Sequence, residues 1–382
     1  MKLVTFAIDT PVGEIRRVGA IRKDGFFVDL CAGREALLKS KGVEEAYVQA
    51  QLDCPSDMLD FIKAGDDGLK KGYEVLDFAA DMGTDKVDGL TVVYDPATVR
   101  LLTPIPRPNT IRCFSLSEKH MLNGIKSMQD TAAWGGVKPS LTKLPDEWYN
   151  LPTYYKTGTT EIYGPDELVP WPSLTDKFDY ELEIATIIGK RGRNVPEEEG
   201  ENYIYGWTLY NDWSTRDWQN REMSINLGPS LCKDNASSLG PCIVTRDEYD
   251  LYNAHFTIRV NGEVWSQTMV DLYFPLKHLV EYVTRVQTIF PGDIFTSGTL
   301  PFGAGCELKK WIPEGGVIEF EAEGMGILRN YIGKKGEPAP LPASQRPYLK
   351  VKRCENVLEY ALNQLHSCPG RYSMADRGTS SL

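Results

Sequence analysis

Histidine is scarce in this chain, with four residues in 382, and the eight cysteines at positions 31, 54, 113, 232, 242, 306, 354 and 368 contain no CxxC pair. A Cys/His zinc cluster and a short disulfide framework are both excluded, and a reducing, cytoplasmic setting is expected. Basic excess is missing too. The chain has 42 Lys and Arg against 53 Asp and Glu, a net charge of -11, with no basic stretch interleaved with aromatics. Nucleic acid is therefore not an expected partner. No apolar run approaches the roughly 18 residues that span a bilayer, so no membrane partner is expected. The N-terminus lacks the charged start, long apolar core and cleavage site of a signal peptide. Ser380-Ser381-Leu382 lacks the basic middle residue of a peroxisomal tail. No P-loop, no G-x-S-x-G elbow and no dinucleotide fingerprint is present.

What is present is an ordinary globular composition, 42% apolar and 25% charged, and enough length for two or three domains with cores of their own. Residues 1–102 read as a small N-terminal α/β domain, with strands over Leu3 to Ile8 and Gly25 to Leu30 and helical stretches near Arg34 to Gln51 and Ser56 to Ala64. The segment TPIPRPNTIR then breaks regular structure, because prolines at alternate positions cannot continue a helix or a central strand. Residues 103–337 form the second unit. Apolar runs such as LEIATIIG, YIYGWTLYN, HFTIRVNG and VIEFEAEG alternate with Gly, Pro and Asn turns, and one amphipathic helix is expected at Leu276 to Gln287. The fold class is mainly β, within α+β. Residues 338–382 are a C-terminal extension with a short helix at Asn356 to Leu365.

The chemistry gathers at DYELEIATIIG and the later GWTLYNDWSTRD. Side chains two apart on a strand share a face, so Glu181 and Glu183 can converge while Leu182 and Ile184 face apolar packing. Asp212 falls at the end of the next apolar strand, where a carboxylate meets solvent. Three carboxylates on one site repel unless a cation neutralises them. An all-oxygen donor set favours a hard ion, Mg²⁺ first, with Ca²⁺ or Mn²⁺ as alternatives. A solvated strand face is the competing account of the same spacing.

From about Pro104 to Gly333 the chain resembles the fumarylacetoacetate hydrolase family, on four motifs in the family's order: DYELEIA, NDWSTRD, PGDIFTSGT and EGMGILRN. The resemblance implies a mixed β-roll, barrel-like catalytic domain with flanking helices, a homodimer, and Glu181, Glu183 and Asp212 as metal ligands. It further implies Lys233 as a cation near developing negative charge, and Gln219, Thr299 and Tyr155 as substrate contacts. His120, in SLSEKHMLNG, falls where the family places a lid histidine and is the implied general base. Glu118 and Glu307 both resemble carboxylates that pair with that histidine, and the sequence does not choose between them. Cys113 stands where the hydrolase itself has an additional aspartate ligand, and Ser115 where it has a substrate-contacting tyrosine. Three carboxylates are thus expected on the metal, and fumarylacetoacetate is not the expected substrate.

The expected activity is Mg²⁺-dependent hydrolysis of a C–C bond in a 1,3-dicarbonyl, acylpyruvate-like 2-oxo acid through a metal-bound enolate. Dehydration of a 2-keto-3-deoxy sugar acid, decarboxylation of a 3-oxo acid and keto-enol isomerisation use the same enolate and stand as alternatives. A non-catalytic metabolite-binding relative is the remaining one.

Overall fold

The computed structural model describes residues 1–130, 134, 136, 142–338 and 340–349. The helix expected at Asn356 to Leu365 lies outside the described residues.

Two sheets organise the chain. The larger has twelve strands, and its main path runs Val93–Tyr94, Phe27–Asp29, Gly13–Ile21, Lys2–Thr10, Ser237–Thr245, Ile204–Asp212, Leu182–Ile188, Ile294–Thr296, Ile111–Phe114, Tyr154–Thr157. Its neighbours are antiparallel along that path except for Ile294–Thr296 with Ile111–Phe114. The smaller sheet has five strands in the order Glu167–Val169, Gly326–Ile332, Val317–Ala322, His255–Val260, Glu263–Met269. Neither order closes on itself among the described residues, so the architecture is an open roll of sheets and not a closed barrel. Strands of the first hundred residues enter the large sheet directly: Lys2–Thr10 pairs with Ser237–Thr245 on one side and with Gly13–Ile21 on the other.

The central strands are buried throughout because both faces of the large sheet are covered. All residues of Leu182–Ile188, Ile204–Asp212 and Ser237–Thr245 are buried. Alternation then sorts the side chains. Val4, Leu182, Ile184 and Leu209 join one core with Phe256, Ile258, Phe320 and Leu328 of the smaller sheet. Leu3, Ala185, Ile187 and Tyr210 join a second core with Phe61, Ile62, Val75 and Ala79 of the N-terminal helices.

Those helices are Leu30–Ser40, Ala46–Asp53, Met58–Lys63 and Gly65–Asp81. The last is absent from the sequence expectation, since glycines at 65, 68 and 72 argue against a helix. Packing overrides propensity there. A Cβ on Gly72 would lie 2.9 Å from the Met1 Cε, and one on Gly68 would lie 2.7 Å from the Ala64 Cβ. The helix expected at Leu276 to Gln287 is present as Leu276–Thr284.

Candidate active site

Glu181, Glu183 and Asp212 come together at the end of the large sheet, on the face turned away from the smaller sheet. Each offers a carboxylate oxygen, and these lie within 4.8 Å of one another. The register explains the meeting. Glu183 pairs with Tyr210 and Leu182 with Asn211 in the antiparallel ladder, and the Asp212 N–H donates to the Glu181 carbonyl at 3.1 Å. The Asn211 side chain holds the Glu181 N–H at 2.9 Å, fixing the residue just before the strand begins. All three carboxylates are buried, at 6%, 1% and 0% exposure.

Two cations answer them. Lys233 Nζ donates to Glu181 Oε2 at 2.7 Å, to Asp212 Oδ2 at 2.9 Å and to Ser214 Oγ at 2.6 Å. Arg216 lies 2.6 Å from Glu181 Oε1 through Nη1 and 2.8 Å from Asp179 Oδ2 through Nε. Burial would raise the Glu181 carboxyl, but Lys233 and Arg216 outweigh it and hold it below the usual range. Glu183, without such a partner, is pushed well up by burial and by the Asp212 and Glu181 charges. Asp212 is also raised, because burial and Glu181 outweigh Lys233. Burial would lower the Lys233 ammonium, and the Asp212 and Glu181 charges instead raise it.

The donor set fits a divalent cation. Glu183 Oε2 and Asp212 Oδ1 are buried with no hydrogen-bond partner, and a buried carboxylate oxygen left in that state is costly unless a cation meets it. Cys113 is buried nearby, with its Sγ 3.7 Å from the Tyr210 hydroxyl. Burial, then the Asp212 and Glu183 charges, push its thiol well up. It therefore stays a neutral, poor partner for a hard ion.

His120 lines a cavity of about 390 Å³ together with Glu181 and Glu183. Ser117 caps the helix Glu118–Met128, accepting from the His120 N–H at 3.2 Å. His120 Nδ1 lies 2.7 Å from Glu307 Oε1, whose other oxygen accepts from Asn123 Nδ2 and the Phe302 N–H, both at 3.0 Å. Glu118 turns elsewhere and accepts from the Tyr149 hydroxyl at 2.5 Å. The choice left open by the sequence falls to Glu307. Tyr155 donates to Asp212 Oδ2, Gln219 Oε1 accepts from Arg216 Nη1 at 2.9 Å, and Thr299 and Ser115 line the cavity.

Sequence reasoning passed over Asp179 and Arg216. Asp179 accepts from Arg216 Nε and from the Gly305 and Cys306 N–H groups at 3.0 and 3.1 Å. It thus ties the carboxylate side of the cavity to the short helix Gly305–Leu308 that carries Glu307. The available signal was the period-two run Asp179, Glu181, Glu183, which extends the shared face one step back.

Among known proteins, residues 125–333 match the model for the fumarylacetoacetate (FAA) hydrolase C-terminal domain. An uncharacterized protein of Methanocaldococcus jannaschii is 37% identical over 180 residues, 47% of this chain and 71% of that protein. An oxaloacetate tautomerase of Bacillus subtilis is 26% identical over 310 residues, 80% of this chain and 96% of that one. Among solved structures, a fumarylacetoacetate hydrolase from Exiguobacterium antarcticum superposes with a TM-score of 0.60 at 24% identity, covering 87% of this chain and 99% of its own. A maleylpyruvate hydrolase from Sphingobium, solved with manganese (II) ion and pyruvate, has a TM-score of 0.58 at 20% identity and covers 87% of this chain and 99% of its own. The family model spans more than half of the chain, and the chain belongs to the fumarylacetoacetate hydrolase family.

Proposed function

We propose that this chain is a divalent-metal-dependent enzyme that cleaves a C–C bond in an acylpyruvate-like 2-oxo acid by hydrolysis. The observation that carries the reading is the His120–Glu307 pair facing the three-carboxylate cluster across one cavity. Glu181, Glu183 and Asp212 would hold the ion, Mg²⁺ by preference for oxygen donors, with Mn²⁺ and Ca²⁺ as alternatives. A cation held there supplies Lewis acidity toward the oxygens of a 2-oxo acid.

The chain's own groups do the rest. A carboxylate only accepts, so Glu307 keeps the His120 proton on Nδ1 and leaves Nε2 to take a proton from water. Asn123 and the Phe302 N–H hold Glu307 in place for that task. Lys233, its three N–H groups bonded to Glu181, Asp212 and Ser214, contributes positive charge, and the unpaired Nη2 of Arg216 is a cationic donor lining the same cavity; together they offset negative charge that builds on the pyruvate half. Gln219 and Thr299 orient the substrate, and the helix Glu118–Met128 limits the access of water.

The test is pyruvate release from a series of acylpyruvates with Mg²⁺ and with EDTA. Metal-dependent release is expected, and no release from any acylpyruvate would sink the reading. Keto-enol tautomerisation is the second reading, favoured by the alignment with the Bacillus subtilis oxaloacetate tautomerase along 80% of this chain. Decay of enol absorbance without pyruvate release would select it. The proposal includes a homodimer, supported by the exposed Ile225, Leu227 and Leu231 beside the cavity. Sedimentation at one chain mass would remove that part.

A further inference from the structure

We propose that the cavity selects a 2-oxo acid whose far end is an apolar acyl chain and discriminates against one ending in a second carboxylate. This rests on the reading above for the head group but follows from a different wall of the cavity. The helix Glu118–Met128 presents two stripes. His120, Asn123 and Ser127 form the polar one, bonded to Glu307 and to the Cys306 carbonyl. Met121, Gly124, Ile125 and Met128, spaced i, i+3, i+4, i+7, form the other and line the cavity. Met121, Gly124 and Met128 are only half-buried. Trp134 and Met223 add to the apolar lining.

Gly124 opens a groove in this stripe. A Cβ there would meet nothing within 4 Å among the described residues, so the missing side chain leaves room instead of serving close packing against them. The glycine is inside a helix, where it costs stability relative to alanine. No described neighbour needs the space. An alkyl chain along this groove would gain about fourfold in affinity per methylene removed from water.

The cations tell the same story. The cationic or titratable basic residues among the described lining residues are His120, Arg216 and Lys233. His120 is bonded to Glu307, Arg216 to Asp179 and Glu181 with its free Nη2 serving the pyruvate half in the reading above, and Lys233 to Glu181 and Asp212. A second carboxylate placed against Met121, Gly124 and Met128 would meet no counter-ion among the described residues there and would lose its hydration.

Two measurements on the Mg²⁺-loaded chain decide the matter. The first is equilibrium binding, by calorimetry, of the matched non-hydrolysable acids 2-oxooctanoate and 2-oxooctanedioate. The monoacid should bind at least tenfold tighter, and equal or reversed affinities would overturn the proposal. The second is kcat/KM for hexanoylpyruvate relative to acetylpyruvate in the wild type and in Gly124→Leu. The leucine side chain fills the groove and suits a helix, so the ratio should fall at least tenfold. An unchanged ratio in a folded variant would place the acyl chain elsewhere and overturn the proposal. If no acylpyruvate is turned over at all, the hydrolytic reading fails, while the binding comparison still decides the far-end preference.

Discussion

Replacing Asp179 by asparagine should disconnect the two halves of the site at almost constant volume. Three N–H groups converge on this fully buried carboxylate: Arg216 Nε at 2.8 Å, Gly305 N at 3.0 Å and Cys306 N at 3.1 Å. An asparagine keeps one acceptor oxygen and presents an NH₂ group, so in either orientation at least one donor faces a donor. One buried unsatisfied donor costs about 1–3 kcal/mol. Loss of the countercharge to a buried guanidinium brings the total toward about 3–5 kcal/mol. Arg216 retains Glu181 at 2.6 Å, so the lower end, about 3 kcal/mol, is expected. With an unfolding entropy near 2.1 cal/mol/K per residue, that is a fall in Tm of about 4 °C. The Glu307 helix begins at these two N–H groups, one of which loses its acceptor in either orientation, so kcat should also fall by about tenfold or more. Differential scanning fluorimetry and pyruvate-release kinetics read both quantities. A variant within about 1 °C and twofold of wild type would refute the strut, whatever the fate of the metal site. Gly305→Ala attacks the same contact from the other side, since its Cβ would lie 2.5 Å from both Asp179 Oδ1 and the Lys310 carbonyl.

The remaining predictions concern the base, the metal and a distant charge cluster. His120→Gln and Glu307→Gln should each lower kcat by about 10²–10⁴-fold, with Asn123→Ala costing less, in steady-state kinetics; normal turnover by His120→Gln would move the base elsewhere. Saturating Mg²⁺ at about 100 times its Kd should stabilise the wild type by about 2.7 kcal/mol. That thermal shift should vanish in Glu183→Gln, and its persistence would show that the ion sits elsewhere. Asp53 accepts from Arg34 and Gln49 at 2.7 Å and lies 2.9 Å from Lys71. Burial would raise its carboxyl, but Lys71 and Arg34 outweigh burial and hold it below the usual range. A depressed folded-state value means stability present above the unfolded value near 4 and lost as the pH falls through the lower folded one. Asp53→Asn should therefore cost about 2 kcal/mol at pH 7, and the gap to wild type should close below about pH 4 in urea titrations.

Much of the site was legible because its logic is local. The alternation of Glu181 and Glu183 with Leu182 and Ile184 is a property of any strand, and both pairs go to the faces that alternation requires. Asp179 is a third member of that face by the same alternation, but its partners, the Gly305 and Cys306 N–H groups, lie more than a hundred positions away. The helix Gly65–Asp81 was not legible, since its glycines serve contacts with Met1 and Ala64 that exist only after folding. The same applies to the first strand, whose pairing with Ser237–Thr245 joins residues more than two hundred positions apart.

The sequence by itself determined the hard-ligand character of the site, the period-two faces and the family, because composition and spacing within a strand or a motif need no partner. Tertiary structure decided which carboxylate serves His120. Glu118 is two residues away along the chain and bonds Tyr149, whereas Glu307, 187 residues away, lies at 2.7 Å. On the helix Glu118–Met128, Glu118 and His120 point in different directions, and only the docking of Gly305–Leu308 against that helix, held by Asp179 and Ser127, brings Glu307 to the imidazole.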